Sequence, residues 1–261
     1  MKIAISGASG LVGEALVPYL RSKGHQVYVV VRDEPAPGEI RWKPDEGMLD
    51  IGSLEGIDAV INLSGENVAG RWTADKKKRI LQSRISATRT WVEAIKELPS
   101  PPKVFINASA VGYYGNAGSQ VLDEASPKGR GFLSDVCQHW EEELKELEKL
   151  NIRVVPVRIG VVISPEGGAL GKMLIPFKLG LGGQIGTGDQ YMSWISLEDL
   201  LAIFQLILTD NTIKGPVNAA APNPVTNKEF TKTLGKVLHR PTIFPMPAFA
   251  ARLAFGEMAE I

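Results

Sequence analysis

The chain has 261 residues, 44% of them hydrophobic and 22% charged, and its 29 Lys+Arg are balanced by 29 Asp+Glu. This is the composition of a globular protein with a sizeable core, without the basic field that grips nucleic acid or anionic lipid. One cysteine (Cys137) and three scattered histidines (His25, His139 and His239) exclude an intrachain disulfide and give no support to a metal site.

Lys2 to Ser6 reads as a short apolar strand, and Leu11, Val12, Ala15, Leu16, Tyr19 and Leu20 recur at helical spacing up to Gly24, with a kink expected at Pro18. Gln26 to Val31 and Asp58 to Leu63 read as strands two and three. Thr73 to Leu98 is a long helix whose N-cap is Thr73, with Asp75 suited to its dipole. Lys103 to Ala108 is a fourth strand, Phe132 to Leu150 a helix and Arg153 to Ile163 a fifth strand. Residues 167–188 hold eight glycines, which predicts a mobile loop. Leu197 to Leu208, Asn227 to Leu238 and Pro247 to Met258 read as later helices. No apolar run approaches the roughly 18 residues that span a bilayer and no secretory pattern opens the chain, so the cytoplasm is the expected location. Apolar strands alternating with helices predict an α/β fold, a Rossmann-type doubly wound parallel sheet. Residues 1–163 form the expected dinucleotide-binding core. Residues 164–261 form a smaller substrate-covering region interleaved with it.

Gly7-Ala8-Ser9-Gly10-Leu11-Val12-Gly13 joins the first strand to the first helix. Each glycine has a physical task there: Gly7 makes the tight turn, Gly10 lets backbone N–H groups approach a pyrophosphate, and Gly13 lets helix pack on strand. Ser9, Leu11 and Val12 share that anion-binding helix start. Arg32 ends the second strand where an acidic residue would take the ribose hydroxyls of NAD; an arginine suits the 2′-phosphate of NADP.

The glycine pattern resembles that of the extended short-chain dehydrogenase/reductases, the group that includes nucleoside-diphosphate-sugar epimerases. Further strings resemble one atypical subfamily of it: Asp58-Ala-Val-Ile-Asn-Leu-Ser-Gly-Glu66, Ser83-Arg84-Ile85, Ala108-Ser-Ala-Val-Gly-Tyr-Tyr-Gly115, Gly168 to Gly183, Met192-Ser-Trp-Ile195 and Gly256-Glu-Met-Ala259. The resemblance covers essentially the whole chain. It implies NADP as cofactor, with contacts from Leu63, Ser64, Gly65, Arg84 and Val162, and an oxidoreductase or epimerase-like reaction. Relatives of the subfamily continue past the last string, so the chain is expected to be truncated in mid-helix, leaving Leu253, Phe255 and Met258 short of a packing partner.

The wider superfamily uses a Ser or Thr after strand four and a Tyr-x-x-x-Lys on the next helix, where i and i+4 share a face and the ammonium eases the tyrosine proton off. This chain keeps Ser109 but offers only Phe132…Val136 and Leu133…Cys137 at that spacing. Its one literal Tyr-x-x-x-Lys, Tyr19 to Lys23, lies on the first helix and is a decoy. Tyr113 and Tyr114 are the nearest phenols, so Ser109, Tyr113 and Tyr114 are the candidate catalytic residues. The expected function is NADP-dependent oxidoreductase or epimerase-like chemistry on a small molecule; the alternative is a non-catalytic NADP-binding redox sensor or interaction module. Nucleic acid and membrane are not expected partners. The sequence leaves substrate and oligomeric state open.

Overall fold

A computed structural model describes residues 1–247, so Leu253, Phe255, Met258 and nearly all of the helix expected from Pro247 lie outside the described residues. The first half of the chain builds β1 (Lys2–Ser6), α1 (Leu11–Ser22), β2 (Gln26–Val31), β3 (Glu39–Lys43), β4 (Met48–Leu49), β5 (Ala59–Asn62), α2 (Ala74–Lys96) and β6 (Val104–Ala110). There follow α3 (Phe132–Glu142), α4 (Lys145–Glu148), β7 (Arg153–Ile159), β8 (Val161–Ser164), α5 (Gly168–Lys178), β9 (Tyr191–Met192) and β10 (Trp194–Ser196). The described part closes with α6 (Leu197–Thr209), β11 (Val217–Ala219), β12 (Val225–Thr226) and α7 (Asn227–Leu238).

One eight-stranded sheet runs β11-β7-β6-β5-β1-β2-β3-β4, parallel throughout except for the antiparallel β3–β4 edge. Strand order reverses between β1 and β5, the switch point at which a doubly wound sheet opens a crevice. Alternation along the strands divides the core into two layers. Ile3, Ile5, Ile106 and Val157 face Leu16 and Leu20 of α1 and Leu200 and Phe204 of α6; Ala4, Val60, Phe105 and Val154 face Trp91 and Ile95 of α2 and Leu144 and Leu147. The expected doubly wound α/β fold is the observed one. The region after residue 163 reaches into it, since β11 joins the main sheet and α6 packs on the α1 layer.

The local expectations hold in part. Thr73 caps α2 by accepting from the Lys76 N–H, and α1 continues unbroken through Pro18. The expected fifth strand divides at Gly160, where β7 ends in the main sheet and β8 leaves to pair with β10. A Cβ at Gly160 would sit 2.9 Å from the Ser193 carbonyl oxygen, so only glycine lets the two backbones cross this closely. The helix expected from Phe132 to Leu150 breaks between Glu142 and Lys145: an i→i−3 bond from Leu144 N–H to Glu141 C=O tightens the turn, and Leu144 and Leu147 both enter the core. The mobile loop expected at 167–188 is corrected by α5, which occupies Gly168–Lys178 and buries Phe177. Glycines crowd the two ends of that helix rather than its body.

At the C-terminal ends of the central strands lies a closed polar cluster. Ser6, Asn62 and Asn107 are register partners on β1, β5 and β6. Ser6 Oγ donates to Asn62 Oδ1 (2.8 Å), and Asn62 Nδ2 donates to Asn107 Oδ1 (2.7 Å) and Thr88 Oγ1 (3.1 Å). The indole N–H of Trp91 reaches Ser6 Oγ and that of Trp140 reaches Thr88 Oγ1.

Candidate nucleotide and catalytic site

The glycine turn opens directly onto the switch point. Gly7 has φ +79°, and a Cβ there would lie 2.6 Å from the Leu63 carbonyl carbon; a Cβ at Gly13 would lie 2.4 Å from the Gly7 carbonyl oxygen. Both glycines are therefore required by contact. Gly10 differs, because its Cβ would meet nothing nearer than the Gly7 oxygen at 3.5 Å, so the space in front of it is free. It is also the N-cap of α1, without a side chain to cap the helix. The N–H groups of Leu11, Val12 and Gly13 precede the first intrahelical bond, Glu14 N–H to Gly10 C=O (2.8 Å), and face a cavity of about 200 Å³. Gly7, Leu63, Ala108 and Ile159 complete its lining, so the cavity runs from the start of α1 to the ends of β5, β6 and β7. Helix dipole and open donors make it an anion cradle with an apolar wall.

The other predicted nucleotide contacts surround this edge. Arg32 follows β2 directly, is exposed, and pairs with no carboxylate among the described residues. Ser9 is exposed in the turn, and the Ser64 N–H is held by Asn62 Oδ1 (3.2 Å). Val162 stands half-buried on β8, and a Cβ at Gly168 would come within 3.0 Å of Leu11, which places the start of α5 against the start of α1. Arg84 Nη1 donates to the carbonyls of Glu66 (3.1 Å) and Ile80 (2.9 Å), its guanidinium lies over the Trp140 ring, and burial pulls its pKa below the ordinary arginine value. Gly65 is small for that reason: a Cβ there would be 3.0 Å from Arg84 Cζ. Beside it, Lys76 Nζ donates to Glu66 at 2.6 Å and, with Arg79 and Arg84 near, holds the Glu66 carboxyl below the usual range.

The three catalytic candidates have different fates. Ser109, on β6, is 3% exposed, and its hydroxyl donates to Glu141 Oε1 at 2.6 Å instead of facing open space. Tyr114 donates its hydroxyl to Asn218 Oδ1 (2.7 Å) and accepts from Arg158 Nη1 (2.9 Å). Tyr113 is half-buried on the turn that follows β6, and its hydroxyl has no protein partner among the described residues. Of the three, only Tyr113 presents an unengaged phenol. The helix face that would carry Tyr-x-x-x-Lys is apolar, with Leu133 against Gly112, Phe132 edge-on to Trp72, and Val136 and Cys137 buried. Burial and the Glu141 charge push the Cys137 thiol up to about 11, so no thiolate stands there at neutral pH. The Tyr19–Lys23 pair sits at the far end of α1, with the ammonium 5.3 Å over the ring, away from the crevice.

Sequence reading missed Arg158 and Glu141. Arg158 is 3% exposed on β7; its Nε and Nη2 donate to Glu141 Oε1 (3.0 Å) and Oε2 (2.9 Å). Burial alone lowers its pKa, but the Glu141 hydrogen bonds and charge outweigh that and hold it above the usual arginine value. The one available signal was a charge inside the apolar run Val154-Val-Pro-Val-Arg-Ile159, which when buried demands a partner.

Comparison with known proteins agrees with this architecture. The profile of the NAD dependent epimerase/dehydratase family matches residues 3–220. An epimerase family protein of Mycobacterium bovis is 44% identical over 260 residues, covering 99% of this chain and 86% of its own length. The crystal structure of human epimerase family protein SDR39U1 with NADPH superposes with a TM-score of 0.89 at 37% identity, covering 99% of this chain and 88% of that one. A nucleoside-diphosphate sugar epimerase from Corynebacterium glutamicum superposes at 0.81 with 34% identity, over all of this chain and 57% of that one.

Proposed function

Because the chain belongs to the NAD dependent epimerase/dehydratase family, we propose that it is an NADP(H)-dependent oxidoreductase that reduces a carbonyl or enone group on a small molecule. The observation that carries this reading is the free space before Gly10 at the open N-terminus of α1, with the unpaired Arg32 at the end of the next strand. Residues and group fit: the N–H groups of Leu11, Val12 and Gly13 would hold a pyrophosphate, and Arg32 would take a 2′-phosphate. A relative at 37% identity holds NADPH. Bound NADPH supplies the hydride.

The protein's own part is to exclude water along the wall of Leu63, Ala108 and Ile159 and to offer a proton at the carbonyl oxygen. Tyr113 is the group for that second task. At neutral pH a phenol donates a proton or hydrogen bond more readily than it accepts one, which favours reduction over oxidation. With no lysine four residues along a shared helix face, turnover is slower than in Tyr/Lys relatives.

The test is a panel of aldehydes, ketones and enones followed by NADPH absorbance. Tyr113→Phe is expected to lower the rate by about 10²–10⁴-fold with NADPH affinity unchanged, whereas Ser109→Ala and Tyr114→Phe, whose hydroxyls bond Glu141 and Arg158 and not open space, lower it less. An unchanged rate in Tyr113→Phe removes Tyr113 from the mechanism. Tight NADPH binding with no turnover on any compound refutes the enzyme and leaves a redox-responsive binding protein.

A further inference from the structure

We propose that Arg158 and Glu141 are positioning residues: a buried ion pair that holds the ring of Tyr113 in the one plane from which its hydroxyl meets the substrate carbonyl. This deepens the reading above and rests on Tyr113 being the proton donor. Burying a guanidinium and a carboxylate carries a large desolvation cost, and an apolar pair of similar shape is often as stable or more so. Stability alone therefore gives little reason for an ion pair whose arginine is 3% exposed.

The geometry supplies another reason. Glu141 grips the guanidinium by two parallel hydrogen bonds, and Ser109 Oγ, donating to Glu141 Oε1 at 2.6 Å, fixes the carboxylate in turn. Arg158 Nη1 is held by the Tyr114 hydroxyl and the Glu124 carbonyl (3.2 Å). With its edges tied, the guanidinium becomes a rigid plate, and the Tyr113 ring lies on its face with the centroid 3.6 Å from Cζ. The Tyr114 ring closes a second side, its centroid 5.4 Å from that of Tyr113 and the two planes near-perpendicular at 86°. The Tyr113 backbone is pinned as well, since its carbonyl accepts from Gly129 N–H (3.0 Å) and Ser134 Oγ (2.6 Å). The ring and the backbone carbonyl of Tyr113 are thus held, while its hydroxyl has no partner among the described residues. A side chain ordered this completely with its reactive atom unused has met the entropic cost of catalysis before substrate arrives. Lysine cannot replace Arg158, because it has neither the planar fork nor the flat face.

The experiment is fluorine NMR of the full chain labelled with 3-fluorotyrosine, in which the five tyrosines give separate signals and Tyr113 is the one lost in Tyr113→Phe. In the parent, adding NADPH should move the Tyr113 signal; a signal that stays put overturns both the proton-donor reading and the positioning built on it. Arg158→Lys and the milder Glu141→Gln should shift the Tyr113 signal toward that of a freely turning exposed ring, leaving those of Tyr19, Tyr28 and Tyr191 in place. The same variants should lower kcat by about 10–100-fold, the scale of a misplaced reacting group, with KM for NADPH unchanged. A Tyr113 signal unaltered in both variants, in a parent that does respond to NADPH, overturns the positioning role alone. If Arg158→Lys does not fold, Glu141→Gln, which keeps the shape but replaces one accepting oxygen with an NH2 that cannot accept from the guanidinium, carries the test.

Discussion

Replacing two glycines of the same turn by alanine should separate folding from binding. At Gly13 the added methyl would lie 2.4 Å from the Gly7 carbonyl oxygen and 2.6 Å from Ala8 Cα, both main-chain atoms that cannot rotate aside. Overpacking of this kind costs about 1–3 kcal/mol, and in a chain of this size each kcal/mol lowers Tm by about 2–4 °C. At Gly10 the backbone is already extended (φ −90°, ψ 165°) and the methyl meets only one atom, at 3.5 Å. Alanine there gains about 0.4–1 kcal/mol through the unfolded chain, offset by a loss of similar size because alanine is a poorer N-cap than glycine, and is close to neutral. The same methyl, however, projects where a pyrophosphate must approach the α1 N–H groups. Each charge-assisted hydrogen bond lost costs about 1.5–3 kcal/mol, or about one to two decades in Kd. Thermal unfolding without cofactor, paired with calorimetric titration of NADPH, reads both effects. Gly10→Ala should melt like the parent and bind far more weakly, while Gly13→Ala should melt early. Parent-like NADPH affinity in Gly10→Ala would refute the placement of the cofactor.

Cofactor choice and the buried thiol give two more expectations. Arg32→Ala should bring NADPH affinity down about ten- to a hundredfold, close to that of NADH, and equal affinities for the two in the parent would end the assignment. Cys137, raised to about 11 in the folded chain, ionises first in the unfolded one, so its contribution to stability is whole below the ordinary thiol pKa and declines as pH rises above it. A chromogenic disulfide reagent should therefore leave Cys137 untouched at neutral pH until the protein unfolds; rapid reaction in the native state would contradict its burial.

The elements legible in the sequence are those whose cause is local. A glycine string between strand and helix, Thr73 at a helix start and apolar β-branched runs each declare themselves within a few residues. What stayed hidden depends on partners distant in sequence. Gly160 breaks a strand because Ser193 passes over it, and Glu39–Lys43 becomes a sheet strand between β2 and β4 because Ile40 and Trp42 find cover in the α2 layer. The glycines of 167–188 misled by their number, since position along the segment, rather than count, leaves Lys172 to Phe177 free to coil. At the candidate catalytic edge the strings located the tyrosines and Ser109 but not their orientation. That Ser109 and Tyr114 turn their hydroxyls inward follows from Glu141, Arg158 and Asn218, none of which is a neighbour in the chain.

The polar cluster formed by Ser6, Asn62, Asn107, Thr88, Trp91 and Trp140 bears on how the sheet assembles. Its side-chain bonds join three strands and two helices, so no single strand pairing completes it. If β1 and β5 associate without β6, the Asn62 amide loses Asn107, and each buried group left unmatched costs about 1–3 kcal/mol. A slip of one residue turns the same side chains to the opposite face. With α2 or α3 undocked, Thr88, Trp91 or Trp140 is missing from the set. The cluster thus acts as a proofreading device for chain assembly, weighing against partial and out-of-register sheets more heavily than it favours the finished one.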